Sequence, residues 1–219
     1  MTNITQIEVR FDNRLVGRLA LTKEALCAFE YSSDWLQSGF SISPFELPLR
    51  NGVFMAKPRP FEGGFGVFDD CLPDGWGLLV LDRYLKQKGI NPNTLTLLDR
   101  LALVGTTGRG ALEFHPDKSV ISDSECADFE KLALEAEEIL DSDDYTGQGI
   151  EEFQARGGSP GGARPKIFTR FEGKEWLVKF RAKHDPKRIG AEEYHYSLLA
   201  KKCGIEMPET RLFENKYFG

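Results

Sequence analysis

The sequence predicts an α+β protein in two units, and three observations predict it. Two strand-like runs flank an Asp-Asn pair near the N-terminus, and helical stripes of apolar residues recur through the middle. Towards the end, a glycine-rich stretch feeds a second pair of strand-like runs, and one more helix follows. A mixed first unit is predicted over residues 1–145 and a second over residues 146–219.

Each element has a local reason. Ile4 to Phe11 and Leu15 to Leu21 alternate in polarity around Asp12-Asn13, a pair that tolerates the positive φ a tight hairpin needs. Leu26 to Tyr31 is a candidate third strand. Pro44 to Phe68 is rich in Pro, Gly and Phe, which predicts loops packed by aromatic anchors. A helix is predicted from about Pro73 to Gly89, with Trp76, Leu79, Val80 and Tyr84 as its apolar stripe and a proline near its first turn. Thr94 is the predicted cap of a second helix carrying Leu95, Leu98, Leu101 and Val104 and ending at Gly105. Gly110 to His115 reads as a returning strand. A third helix is predicted from Ser124, with Phe129, Leu132, Ala136 and Ile139 inward and carboxylates outward. Asp141 to Gly149 is a polar linker between the units. Strands near 165–171 and 175–180, turning at Glu172-Gly173, and a helix near 190–203 complete the prediction.

Charge and rare residues narrow the function classes. The net charge is −6, which gives no general case for binding nucleic acid or membranes. Locally the balance is uneven. Residues 121–144 hold ten acids against one Lys, whereas residues 155–190 hold ten Lys or Arg against three acids. An anionic ligand would go to the basic stretch, although two solvated faces account for the same charges. Cys27, Cys71, Cys126 and Cys203 form no C-x-x-C pair, and His115, His184 and His195 are isolated, which argues against a metal site or a disulfide framework. The first residues have neither a basic nor an apolar signal region, and no run of about 18 apolar residues occurs. A soluble, cytoplasmic protein is expected.

The chemistry concentrates between Ala155 and Glu193. Gly157-Gly158-Ser159-Pro160-Gly161-Gly162-Ala163-Arg164-Pro165-Lys166 lacks the G-x-x-x-x-G-K-[ST] and G-x-G-x-x-G patterns. Glycines there still let backbone N–H groups approach phosphate oxygens with no Cβ in the way. Lys179 lies near the end of the strand Leu177-Val178-Lys179-Phe180, and Glu193 opens the last helix. Gly-rich loop, strand lysine and helix glutamate is the order of a protein-kinase N-lobe, in which the cation grips phosphates and the carboxylate orients it. By pattern alone the same residues also read as a flexible loop, a solvent-facing lysine and a first-turn acid.

A family resemblance bears on this choice. Ser159-Pro160-Gly161-Gly162-Ala163-Arg164-Pro165-Lys166 resembles the S-x-G-G-A-R-P-K loop of the HipA toxin kinases. Phe68 to Gly75, reading F-D-D-C-L-P-D-G, is similar to an element of that family's N-terminal domain, as are Leu97 to Gly105 and Arg109-Gly110-Ala111-Leu112. Glu193-Tyr194 through Cys203-Gly204-Ile205 resembles the family's E-Y-x-x-x-x-[LM]-A-x-x-x-G-I helix.

The resemblance implies a HipA-type N-terminal domain followed by a partial kinase-like N-lobe. It implies ATP binding by Gly161, Gly162, Ala163, Arg164, Lys166 and Lys179, with Glu193 orienting Lys179 and Ser159 as an autophosphorylation site. The complete kinase would use ATP and Mg²⁺ to phosphorylate serine on a protein, an aminoacyl-tRNA synthetase being the family's usual target. The resemblance also implies a helix-turn-helix antitoxin as partner; direct DNA contact by this chain is not expected, given its net charge of −6 and the lack of a DNA-reading motif. Family members are roughly twice as long, and their catalytic and metal-binding aspartates lie beyond the part matched here. The chain as it stands is therefore expected to be inactive, as a fragment or as half of a split kinase. The other reading is a non-catalytic module that binds the antitoxin or a separate kinase lobe.

Overall fold

The structure is a computed structural model that describes residues 4–120, 128–142, 145, 147, 149–157 and 161–213. Asp12 and Asn13 take φ of 48° and 60°, closing a two-residue turn between β1 (Gln6–Phe11) and β2 (Arg14–Leu21). β3 (Cys27–Tyr31) pairs with β2. Two short strands complete an antiparallel sheet of order β4-β3-β2-β1-β5: β4 (Val53–Met55) on β3 and β5 (Glu113–His115) on β1. The predicted third and returning strands are both present.

One face of this sheet carries the first core. Ile7, Val9, Leu19, Phe29 and Phe114 meet Trp35, Phe68, Leu98 and Leu101, all essentially buried. Aromatic rings dominate it: Phe29 packs at 4.9 Å from Tyr31 and 5.4 Å from Phe68, centroid to centroid. The Pro44–Phe68 region is only partly the loop that was predicted. It contains β4 and a one-turn helix, α2 (Gly66–Asp69), ahead of which α1 (Ser33–Ser38) was not anticipated at all. Phe54, Phe65 and Phe68 do act as anchors, but Phe45 is fully exposed. The Tyr31 hydroxyl pins the region, donating to Leu47 O at 2.6 Å and accepting from Ile42 N–H at 3.1 Å.

α3 (Gly75–Gln87) packs into a second core. Its predicted stripe is buried or partly buried, with Trp76 and Val80 packing on Leu132, Ala136 and Ile139 of α5 (Phe129–Asp141). α6 (Gly149–Gly157) contributes Ile150 and Phe153, and Ile167 and Phe180 close the cluster. The opposite side of α3 is buried as well: Leu81 and Leu85 meet Leu103 of α4 (Leu97–Val104). A helix placed between two layers needs apolar residues on both faces, which a single-stripe reading misses.

Several helix ends differ from expectation. Pro73 precedes the helix, whose N-cap is Asp74. The cap of α4 is Thr96, not Thr94: Thr96 Oγ1 accepts from Asp99 N–H at 3.2 Å, and Asp99 Oδ2 accepts from Thr96 N–H at 3.0 Å. That reciprocal box outcompetes Thr94, which ends a 3-10 turn over Pro92–Thr94. The chain before the glycine-rich loop is helical as α6, an element the sequence did not lead us to expect. Asp128 caps α5; the predicted start at Ser124 lies outside the described residues. No helix among the described residues is long and apolar enough to cross a membrane.

Candidate functional site

β6 (Lys166–Phe171) and β7 (Lys174–Lys179) form the predicted second hairpin. It turns at Glu172 and Gly173, with φ of 51° and 74°. Register decides which side chains share a face. Ile167 pairs with Val178, and both belong to the second core. Lys166 pairs with Lys179, so period-two alternation turns both lysines to the other face. Two like charges directly opposite one another are unfavourable unless an anion joins them.

An anion from α7 (Ile189–Lys202) pairs with one of them, Lys179. Glu193 Oε2 lies 2.7 Å from Lys179 Nζ, and Glu193 Oε1 lies 3.6 Å from an Arg164 guanidinium nitrogen. Arg164 also donates to Asp185 Oδ1 at 3.0 and 3.2 Å. Burial pushes the Asp185 carboxyl up, but hydrogen bonds from Ala182 N–H and Arg164 outweigh it and hold the pKa below the usual range. Lys166 is buried and turns back on the loop, donating to Gly161 O and, at 3.3 Å, to Gly162 O. Burial, and then repulsion from Lys179, lowers its pKa from the usual lysine value.

The loop itself is open on its outer side, since Gly161, Gly162, Ala163 and Arg164 are all exposed. Gly162 has φ of +98°, a conformation that L side chains rarely adopt, so glycine is required there. Its other contacts come from α3. Gly162 N–H donates to Asp74 Oδ1 at 3.1 Å, and Gly162 O accepts from Trp76 N–H at 3.1 Å. The indole Nε1–H of Trp76 donates to Lys166 O at 3.0 Å.

The structure thus brings together Gly161, Gly162, Ala163, Arg164, Lys166, Lys179 and Glu193, as the sequence suggested. Ser159, the predicted phosphosite, lies outside the described residues. The sequence reading missed Asp185 and Asp74. Asp185 is signalled locally by Asp185-Pro186 ahead of a helix, a turn-forming pair. Asp74 stands 88 positions from Gly162 in the chain, and no local pattern links the two.

An open glycine turn beside three converging cations suits a polyphosphate such as that of ATP. Magnesium is different. Among the described residues, no group of three or more His, Cys, Asp or Glu side chains is placed to hold a metal ion.

Comparison with known proteins identifies the family and the fold. The family described as HipA N-terminal domain matches residues 7–115, and the one described as HipA-like C-terminal domain matches residues 158–218. No curated protein matches. Among solved structures, the fold is similar to that of HipA from Shewanella oneidensis MR-1, determined with HipB and its operator DNA. The TM-score is 0.59 at 22% sequence identity, a likeness of fold. The match covers 97% of this chain and 48% of that one, so the chain spans about half of the solved protein's length. The two halves of the chain match the two parts of one family in the family's own order, and the chain belongs to the HipA family.

Proposed function

We propose that this chain is the nucleotide-gripping portion of a HipA-type protein kinase that, when complete, transfers the γ-phosphate of ATP to serine on a protein. The observation that carries the reading is the Lys179–Glu193 ion pair at 2.7 Å beside an open glycine loop. Bound there, ATP would supply the phosphoryl group, and the residues of this chain hold and orient it. Lys179 neutralises phosphate charge, while Glu193 keeps its flexible ammonium in place. Arg164 and Lys166 add positive charge, and Gly161 to Ala163 let the backbone come close to the phosphates. The described residues build no Mg²⁺ site. By the family resemblance, the catalytic base and the metal-binding aspartate belong to the half of the longer relatives that this chain does not span. By the family resemblance Ser159, two positions before Gly161 in sequence, is the autophosphorylated serine, and a phosphate on it would add about −1.5 to −2 charge and compete with ATP for the same cations.

The test uses a protein carrying the whole kinase region. Lys179→Ala removes a charge-assisted contact of about 1.5–3 kcal/mol, so ATP affinity by calorimetry should fall roughly ten- to a hundredfold. Unchanged affinity removes the assignment.

A second reading rests on a separate observation. The similar solved protein was determined with HipB and operator DNA, which favours an antitoxin as the binding partner of this chain. Co-purification with a helix-turn-helix antitoxin, with no ATP dependence, would support an interaction module in place of a kinase.

A further inference from the structure

α3 begins in an unusual way. Its N-cap residue, Asp74, makes no side-chain bond to its own helix. An N-cap carboxylate ordinarily accepts from the second or third N–H of the helix it opens. Here the exchange runs through Gly162 instead. Asp74 Oδ1 takes the Gly162 N–H at 3.1 Å, and Gly162 O takes the N–H of Trp76 at 3.1 Å. The loop residue therefore caps the helix, and the helix cap holds the loop. Trp76 secures the far end by donating from its indole to Lys166 O at 3.0 Å, and its ring is buried against Phe153, 5.3 Å away.

Gly75 makes the close approach possible. Its φ is +44°, and a Cβ there would lie 2.7 Å from both the carbonyl carbon and oxygen of Gly162. Any side chain at 75 would push the loop away. α3 also packs on the second core with one face and on Leu103 of α4 with the other, so its N-terminus is a fixed support. The loop, in contrast, is exposed from Gly161 to Arg164 and needs an external constraint to keep one conformation.

We infer that Asp74 is a positioning residue for the nucleotide loop, holding Gly162 and through it the Gly161–Lys166 turn in the shape that receives phosphate. The inference rests on the nucleotide reading above and deepens it. Asp74 acts through a hydrogen bond, and its negative charge is no asset towards a phosphate. An asparagine, which keeps the accepting oxygen and drops the charge, should serve as well or better.

Two measurements test this, both on the protein with its whole kinase region. The first needs no nucleotide: amide hydrogen exchange of residues 161–166 in wild type, Asp74→Ala and Asp74→Asn. Asp74→Ala should speed exchange at Gly162 about tenfold, and Asp74→Asn should restore protection. Gly75→Ala should loosen the loop independently, through the clash. The second is ATP affinity by calorimetry. Asp74→Ala should weaken it about fivefold, as for one net hydrogen bond, and Asp74→Asn should bind at least as tightly as wild type. Unchanged exchange in Asp74→Ala overturns the clamp, and an asparagine variant as loose as the alanine one overturns the hydrogen-bond account. Faster exchange with unchanged ATP affinity overturns the positioning role and leaves nucleotide binding standing. A wild type that binds no ATP removes the nucleotide reading itself, and the positioning role with it.

Discussion

The N-terminal sheet and the β6–β7–α7 unit hold together in opposite ways. In β3, alternate residues Cys27, Phe29 and Tyr31 are all buried, and the rings of Phe29, Phe68 and Phe114 form a continuous aromatic core. In α7, only Ser197 of 14 residues is buried, while Tyr196 and Leu199 are exposed. That unit is tied by exposed ion pairs: Lys179 to Glu193, Arg164 to Asp185, Lys174 to Glu209 and Arg211 to Glu172. Burial supplies stability without chemistry, whereas half-exposed charges supply chemistry and little stability. α3 combines the two modes, with its body buried in the second core and against α4 and its N-terminus on the exposed loop.

The contrast is breakable by mutation. Phe68→Ala should have the largest effect, because a fully buried ring leaves a cavity costing about 3–5 kcal/mol. Denaturant unfolding should show this as a lower midpoint, and a loss below about 1 kcal/mol would mean the first core is far looser than its burial indicates. Thr96→Ala comes next. It removes one side of the capping box on α4 and should cost about 1 kcal/mol by the same measurement, enough to show that local caps matter even within the dense region.

Asp185→Asn should have the smallest effect on stability, since the pair with Arg164 lies at the surface. Its sign with pH is fixed by the lowered carboxyl pKa. The folded state binds a proton less readily than the unfolded chain. The ionised Asp185 thus stabilises fully above the unfolded value, near pH ~4, and the contribution is lost as pH falls through the folded value. Wild type and Asp185→Asn should therefore differ slightly at neutral pH and converge in acid. A loss rivalling that of Phe68→Ala would erase the distinction between the two regions.

Much was legible in the residues because much was local. Asp12-Asn13 and Glu172-Gly173 dictate their turns through the φ values those residue types tolerate, and the turns then set strand register. Register in turn places Lys166 opposite Lys179 and away from Ile167 and Val178. The apolar period of α5 named its whole buried face, and those of α3 and α4 named part of theirs. The glycine loop, the strand lysine and the helix glutamate could be nominated in sequence order alone.

Tertiary structure decided what depends on distant partners. The second buried face of α3 exists because Leu103 arrives from α4. Thr96 wins the cap over Thr94 because Asp99 is free to reciprocate there and also accepts from Ile4 N–H at 3.1 Å. Asp74 reaches Gly162 only because α3 is packed between two cores that aim its first turn at the loop. Turn chemistry and helical period act over a few residues and are written in the sequence directly. A hydrogen bond across 88 positions is set by the packing of everything between, which no local pattern encodes.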